Sequence, residues 1–160
     1  MIIIQPSGGL CNRMRVINSG WKLARERKEK LQILWNCNAE LNCPFESLFQ
    51  PVTEFKITTI LAHRNSDGCL DPDYVASLTG KTYIFTWEWF YPSEDYHLFV
   101  PTERLQKRID SITSRFGSSF VGVHIRRTDN QPAIGKSSTD AFIHSMKQEL
   151  EADPATMFYL

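Results

Sequence analysis

The chain has 160 residues, 42% of them hydrophobic and 22% charged, and its 18 basic residues balance 18 acidic ones. This composition is that of a globular protein, and a net charge of zero provides no long-range field for nucleic acid or an anionic membrane. No run approaches the ~20 apolar residues of a membrane span, and positions 2–4 are too short for the ~7–15 residue core of a signal peptide. We expect a cytoplasmic protein that neither spans a membrane nor binds nucleic acid.

The amino terminus is typical of a strand, a glycine loop and a helix. Three isoleucines at positions 2–4 precede a tight turn at residues 6–9, which contains Gly8 and Gly9. Apolar residues then recur at helical steps of four and three, at Leu10, Met14, Ile17, Trp21 and Ala24. Glycines let a backbone approach a ligand closely, and the free amides of a helix start attract anions. A plain strand-to-helix turn has the same pattern, so the loop alone is a weak phosphate signal.

The middle of the chain alternates further strands with loops and helices. Apolar and β-branched runs predict strands over residues 31–35, 55–61 and 82–87, while residues 38–52 and 63–80 read as loops with short helical turns. Helices are predicted after Pro101-Thr102 and from about Ser138 to Ala152. This alternation indicates an α/β fold with Rossmann-like, three-layer organisation. The Pro-Thr step is the candidate boundary between residues 1–101 and residues 102–160.

An aromatic cluster at residues 87–92 permits two interpretations. Aromatic rings bury much apolar area, which favours core packing, but they also stack on sugars and could line an acceptor groove. Glu88 lies between Trp87 and Trp89 and alternates to the opposite side, where it is an exposed carboxylate or, alternatively, a general base.

The cysteine pattern indicates neither a metal site nor a redox pair. Cys11, Cys37, Cys43 and Cys69 form no CxxC pair and have no histidine at finger-like spacing. We expect free thiols and no bound metal or cofactor.

The most informative segment is the run at residues 120–130. Its apolar start reads as a short buried strand, which ends at Arg126 and Arg127 and is followed by the turn-formers Asp129 and Asn130. Ligands of open α/β sheets bind at the carboxyl ends of strands, and a guanidinium matches phosphate oxygens with two parallel hydrogen bonds. Strand alternation places His124 on the same face as Arg126. Two surface arginines that only form solvated salt bridges at a strand end would give the same sequence pattern.

Together, GGLCNRM at residues 8–14 and VGVHIRRTDN at residues 121–130 resemble the fucosyltransferase superfamily. The resemblance is to the nodulation and α-1,6-fucosyltransferases and, more loosely, to the α-1,2 enzymes. It implies that Arg126 is catalytic and binds the diphosphate of GDP-fucose, that His124 contacts this donor and that Arg127 supports it. Asp129 is a further candidate in the same loop, as the anchor of the arginines. By the same resemblance, Gly9 and Asn12 are weaker candidates for donor contacts.

The resemblance also implies an inverting transfer of fucose to a glycan acceptor, without a metal, on a GT-B fold of two Rossmann-like lobes. Residues 1–101 would form the first lobe and residues 102–160 the beginning of the nucleotide-sugar lobe. Because residues 156–160 read as an unfinished buried strand, we expect an incomplete enzyme that binds GDP-fucose poorly, turns nothing over and self-associates through an open sheet edge. The acceptor, the linkage and the general base stay open. The alternative function is a non-catalytic phosphate- or nucleotide-binding α/β module.

Overall fold

The computed structural model describes residues 1–60, 82–93, 95–117, 119–125 and 131–160. The chain divides into two compact units, Met1–Gln106 and Lys107–Leu160, so the division falls slightly after the predicted boundary at Pro101. Unit 1 contains β1 (Ile2–Pro6), α1 (Leu10–Arg27), β2 (Leu31–Asn36), α2 (Phe45–Leu48), β3 (Lys56–Ile60), β4 (Thr82–Thr86) and the start of α3 (Glu103–Thr113). Unit 2 contains the rest of α3, then β5 (Phe120–Gly122), α4 (Gln131–Lys136), α5 (Thr139–Ala152) and β6 (Met157–Tyr159).

Unit 1 is built on a parallel sheet in the order β3-β2-β1-β4. The register aligns Ile4 with Ile33 on one side and with Ile84 on the other, and Ile33 with Ile57. Every residue of β1 is buried. A central parallel strand is covered on both faces, which explains why its sequence is a continuous apolar run rather than an alternating one.

Helix α1 packs closely against this sheet, and Gly20 makes the approach feasible. A Cβ atom at Gly20 would lie 2.7 Å from Cγ1 of Ile4. Fully buried Val16 and Ile17 join the same hydrophobic cluster as Ile4, Ile33 and the phenylalanines around α2. The helix ends at Lys28, whose backbone is left-handed with φ of 55° and whose amide donates to carbonyl oxygens of the last turn. The predicted strand, loop and helix of the amino terminus are therefore confirmed.

The strands predicted over residues 31–35, 55–61 and 82–87 correspond to β2, β3 and β4. The predicted loop over residues 38–52 contains the single-turn helix α2, whereas the loop predicted over residues 63–80 lies outside the described residues. The sheet is parallel and α1 covers one face, an arrangement compatible with a Rossmann-like fold.

Unit 2 has a two-stranded parallel sheet, in which Phe120 pairs with Met157 and Gly122 with Tyr159. Helix α5 begins where predicted, and the Oγ atom of its N-cap, Ser138, accepts a hydrogen bond of 3.1 Å from the amide of Ala141. A strand is present in the predicted segment, but it is shorter than residues 120–125, and the prediction that it is buried is wrong. β5 ends at Gly122, and 51% of Phe120 is exposed, because within the described part of the unit only β6 pairs with this strand.

Candidate functional site

The carboxyl edge of β1 is the point in the sheet where the strand order reverses. From β1 the chain proceeds outward to β2 and β3, and then returns to place β4 on the opposite side of β1. The amide of Ser7, just past β1, donates to the carbonyl of Thr86 at the end of β4 over 3.0 Å. Crevices at such reversals are the usual ligand sites of open α/β sheets. The Gly8-Gly9 loop lies at this edge.

The two glycines of the loop differ in what the fold demands of them. Gly8 has φ of 81°, in the left-handed region, and a Cβ atom there would lie 2.7 Å from Nδ2 of Asn12. Gly9 has φ of −70°, and a Cβ atom there would meet nothing within 4 Å. The fold therefore requires a glycine at position 8 but leaves open space around position 9.

Arg13 ties the loop to the end of β2. The side chain is fully buried; its Nε donates to the carbonyl of Gly8 over 2.7 Å, and an Nη atom donates to Asn38 Oδ1 over 2.7 Å. Its other Nη donates to the carbonyl of Asn36. The guanidinium also lies 5.1 Å from the ring centre of Trp35, within cation–π range. Because Arg13 is inaccessible to solvent, its role is to hold the loop, not to bind a ligand.

Glu40, from the loop after β2, covers the loop amide that an anion would otherwise take. Its Oε2 accepts a hydrogen bond of 2.8 Å from the amide of Gly8, and longer ones from Ser7 Oγ at 3.4 Å and Asn38 Nδ2 at 3.3 Å. The Gly8 hydrogen bond is the main cause that lowers the pKa of this carboxyl below its ordinary value of 4.5. Glu40 is consequently a carboxylate at neutral pH.

Sequence reasoning did not single out Glu40, because residues 38–52 were interpreted only as a loop. One signal could have identified it. In dinucleotide-binding folds an acidic residue that follows the second strand contacts ribose hydroxyls, and Glu40 follows β2 here.

The sequence-predicted site residues fall into three groups. Gly9 and Asn12 lie at the carboxyl edge of β1, where Asn12 Oδ1 accepts a hydrogen bond from the Arg15 guanidinium. His124 belongs to unit 2, is exposed and comes two residues after β5. The other predicted residues, Arg126, Arg127 and Asp129, lie outside the described residues.

The aromatic cluster at residues 87–92 is only partly in the core. Trp87 is 57% exposed and Trp89 53%, whereas Phe90 is partly buried and packs against the core of unit 1. Glu88 is exposed as expected, and its amide donates to Thr86 Oγ1 over 3.0 Å. Trp87 directly follows Thr86, whose carbonyl accepts the hydrogen bond from the Ser7 amide.

Cys11 and Cys43 are free thiols. Among the residues with described positions, no group of three or more His, Cys, Asp or Glu side chains could hold a metal ion. None of the helices in those ranges has the length and apolar character to cross a bilayer.

Comparison with known proteins identifies no relative: no family model matches the chain, and no curated protein or solved structure is significantly similar to it.

Proposed function

We propose that this chain carries the donor-binding motif of an inverting fucosyltransferase that uses GDP-fucose. The observation that carries the proposal is the run His124-Ile-Arg-Arg-Thr-Asp129, which directly follows a parallel strand. The amide of Val123 still donates to the Tyr159 carbonyl over 2.8 Å, so the chain leaves the sheet at its carboxyl edge immediately before this run. Two arginines that are adjacent in sequence and follow a strand suit a diphosphate.

Each residue of the motif has a separate task in the proposal. Arg126 holds the diphosphate with a bidentate guanidinium, and the exposed imidazole of His124 contacts the donor beside it. Arg127 supports this grip from the flank, and Asp129 anchors the arginines. Gly9 and Asn12 belong to the first lobe of the proposed GT-B architecture, whose parallel sheet is that of unit 1.

The proposed reaction breaks the bond between the anomeric carbon of fucose and the diphosphate oxygen. An acceptor hydroxyl attacks from the opposite face, loses its proton to a base and so inverts the anomeric centre, through an oxocarbenium-like state. Negative charge grows on the departing diphosphate. A preorganised guanidinium stabilises that charge most in the transition state, and its loss typically costs about 3 kcal/mol, which is more than a hundredfold in rate.

The proposal is tested with an active protein that contains these residues. The assay measures transfer of labelled fucose from GDP-fucose to a panel of glycan acceptors. Arg126→Ala should lose most of the rate, and Arg126→Lys should recover little of it, because an ammonium cannot form the bidentate contact. Arg108→Lys, an exposed exchange in α3, is the matched control. Near-parental activity of Arg126→Lys would contradict the assigned role.

The same assay tests metal independence, which follows from the absence of an acidic pair next to Arg126 in the sequence. Exhaustive chelation should leave the rate unchanged. A loss of activity that magnesium or manganese restores would place the protein in another class of transferase.

A further inference from the structure

A cavity of about 410 Å³ lies between α1 and the segment that follows β4, and all of its walls belong to unit 1. Among the residues that line it are Trp21 and Arg25 of α1 and Trp89, Ser93 and Asp95 of the segment. The volume is within the ~300–1,000 Å³ that is usual for ligand pockets. The lining combines two indoles with side chains that donate and accept hydrogen bonds.

Two side-chain hydrogen bonds hold the segment against α1. The buried Ser19 hydroxyl donates to the carbonyl of Tyr91 over 3.0 Å, and the Tyr91 hydroxyl donates to the carboxylate of Glu26. Both bonds join residues that are more than 60 positions apart in the chain. The two walls of the cavity are therefore fixed relative to each other by tertiary contacts.

A series of contacts positions a cation and a carboxylate on these walls. The Arg25 guanidinium lies 4.8 Å from the ring centre of Trp21, in cation–π range. The His97 ring meets the same indole edge-on, with 5.2 Å between ring centres. His97 in turn binds Asp95 Oδ1, through its amide over 3.1 Å and through its ring Nδ1. Trp21 and His97 therefore orient Arg25 and Asp95.

Both polar side chains keep capacity for further hydrogen bonds. Within the described chain, the Arg25 guanidinium has neither a hydrogen-bond acceptor nor an ion-pair partner. The hydrogen bonds to Asp95 from the described residues all end on Oδ1, which leaves Oδ2 as an open acceptor. The side-chain hydrogen bond with His97 is the main cause that lowers the pKa of Asp95 below its ordinary value of 3.8, so the group is a carboxylate at neutral pH.

The mixed charge of the lining decides which ligand chemistry fits. An anion would be attracted by Arg25 but repelled by Asp95, and a cation would meet the opposite combination. A hydroxyl both donates and accepts, so a ligand with neighbouring hydroxyls binds the two side chains at once. Trp89 is 53% exposed and provides an indole on which the apolar face of a pyranose ring stacks. Neutral sugars have both properties.

From these walls we infer that the cavity is a binding site for a neutral pyranoside, which stacks on Trp89 and forms hydrogen bonds with Arg25 and Asp95. The inference rests on the proposed function only for the identity of the sugar, which would be part of the acceptor glycan. The binding itself requires unit 1 alone.

An NMR titration of the full 160-residue chain tests the inference directly. The indole signals of Trp21 and Trp89 are followed during addition of methyl glucoside, lactose or chitobiose and, separately, of glucuronate and glucosamine as charged sugars. At least one neutral sugar should shift both signals with millimolar affinity, while the signal of Trp35, in the core, stays in place. No shift with any neutral sugar, or a response to the charged sugars alone, would overturn the inference.

Two exposed tryptophans provide a matched pair for the stacking contact. Trp89→Ala removes the indole on the cavity wall and should weaken sugar binding about tenfold or more. Trp87→Ala is the control, because Trp87 is 57% exposed but does not line the cavity, and it should bind sugar like the parent. Equal sugar binding by the two variants would overturn the inference.

Further variants test the two polar contacts. Asp95→Asn keeps an acceptor for His97 but loses the charge, and Arg25→Gln loses the guanidinium. Each should weaken sugar binding about tenfold, as expected for one charge-assisted hydrogen bond, without changing the melting temperature. Arg27→Gln, an equally exposed exchange in the last turn of α1, is the control and should bind sugar like the parent. Unchanged sugar binding by both Asp95→Asn and Arg25→Gln would overturn the inference.

The outcome is distinguishable from that of the proposed function. Sugar binding at Trp89 without any response to GDP-fucose would remove the fucosyltransferase assignment and leave this site intact. A response to GDP-fucose without any shift of Trp21 and Trp89 by neutral sugars would overturn the site and leave the assignment.

Discussion

Unit 1 and unit 2 both contain parallel strands, but they bury very different fractions of their side chains. In unit 1 the isoleucines of β1 are fully buried, and the core extends through α1 to Phe45 and Phe99. Among the described residues of unit 2, only Thr156 is buried, and Phe120, Ile143 and Tyr159 are 45–51% exposed. The well-packed unit holds the glycine loop, whereas the strand that precedes Arg126 belongs to a sparsely packed one.

The difference has a simple physical cause. Four paired strands with a helix packed on one face remove large apolar areas from water, at about 25 cal/mol per Å². A two-stranded sheet is marginal without further cover. Most of the free energy of folding should therefore reside in unit 1, and a ligand or partner that covers unit 2 should stabilise it by binding. Self-association, which the sequence predicts, would be one way to cover the exposed side chains of unit 2.

The largest loss of stability is expected from Arg13→Ala in unit 1, the well-packed unit. The substitution removes the donors to the carbonyls of Gly8 and Asn36 and to Asn38 Oδ1, and the contact with Trp35. We expect a loss of about 3 kcal/mol or more in the free energy of unfolding, measured by urea titration. Arg15→Ala, on the exposed side of α1, is the control and should change little. A comparable effect of both substitutions would show that Arg13 does not organise the loop.

A smaller effect, which destabilises unit 1 but not unit 2, is expected from glycine-to-alanine exchanges. Gly20→Ala places a methyl group 2.7 Å from Ile4 Cγ1 and should cost about 2 kcal/mol through overpacking. Gly122→Ala in β5 meets nothing within 4 Å and should be neutral or stabilise by about 0.5 kcal/mol. Thermal unfolding of both variants measures the contrast. Equal destabilisation would mean that β5 is as closely packed as β1.

The smallest effect concerns the acid side of the pH profile of unit 1. Because the pKa of Glu40 is lowered in the folded protein, its contribution to stability is fully present above its ordinary value of 4.5 and disappears as the pH falls through the folded pKa. The Gly8 amide signal should titrate over that acid range in the parent and not in Glu40→Gln. If both proteins gave the same profile, the hydrogen bond between Glu40 and Gly8 would have no effect in solution.

The amino-terminal strand, loop and helix and the three further strands of unit 1 could be predicted because local periodicity and turn residues determine them. Three features could not be predicted. The burial of β5 depends on which strands and helices cover it, which a run of apolar residues does not reveal. The aromatic run at residues 87–92 is compatible with core packing and with a groove lining, and only the tertiary structure shows that Trp87 and Trp89 are exposed. Glu40 reaches Gly8 only through the tertiary fold, since 32 positions separate them.

The most direct test of the proposed function is nucleotide selectivity, measured by saturation-transfer NMR on the full chain. GDP-fucose and GDP should give signals, ADP and UDP-glucose should give none, and Arg126→Lys should lose the response to both guanine nucleotides. We expect weak binding, detectable by this method, because the Arg126 loop contributes only the diphosphate part of the contacts with a nucleotide. Equal signals from all four nucleotides, or a response that Arg126→Lys leaves unchanged, would contradict the fucosyltransferase assignment and favour a general nucleotide-binding module.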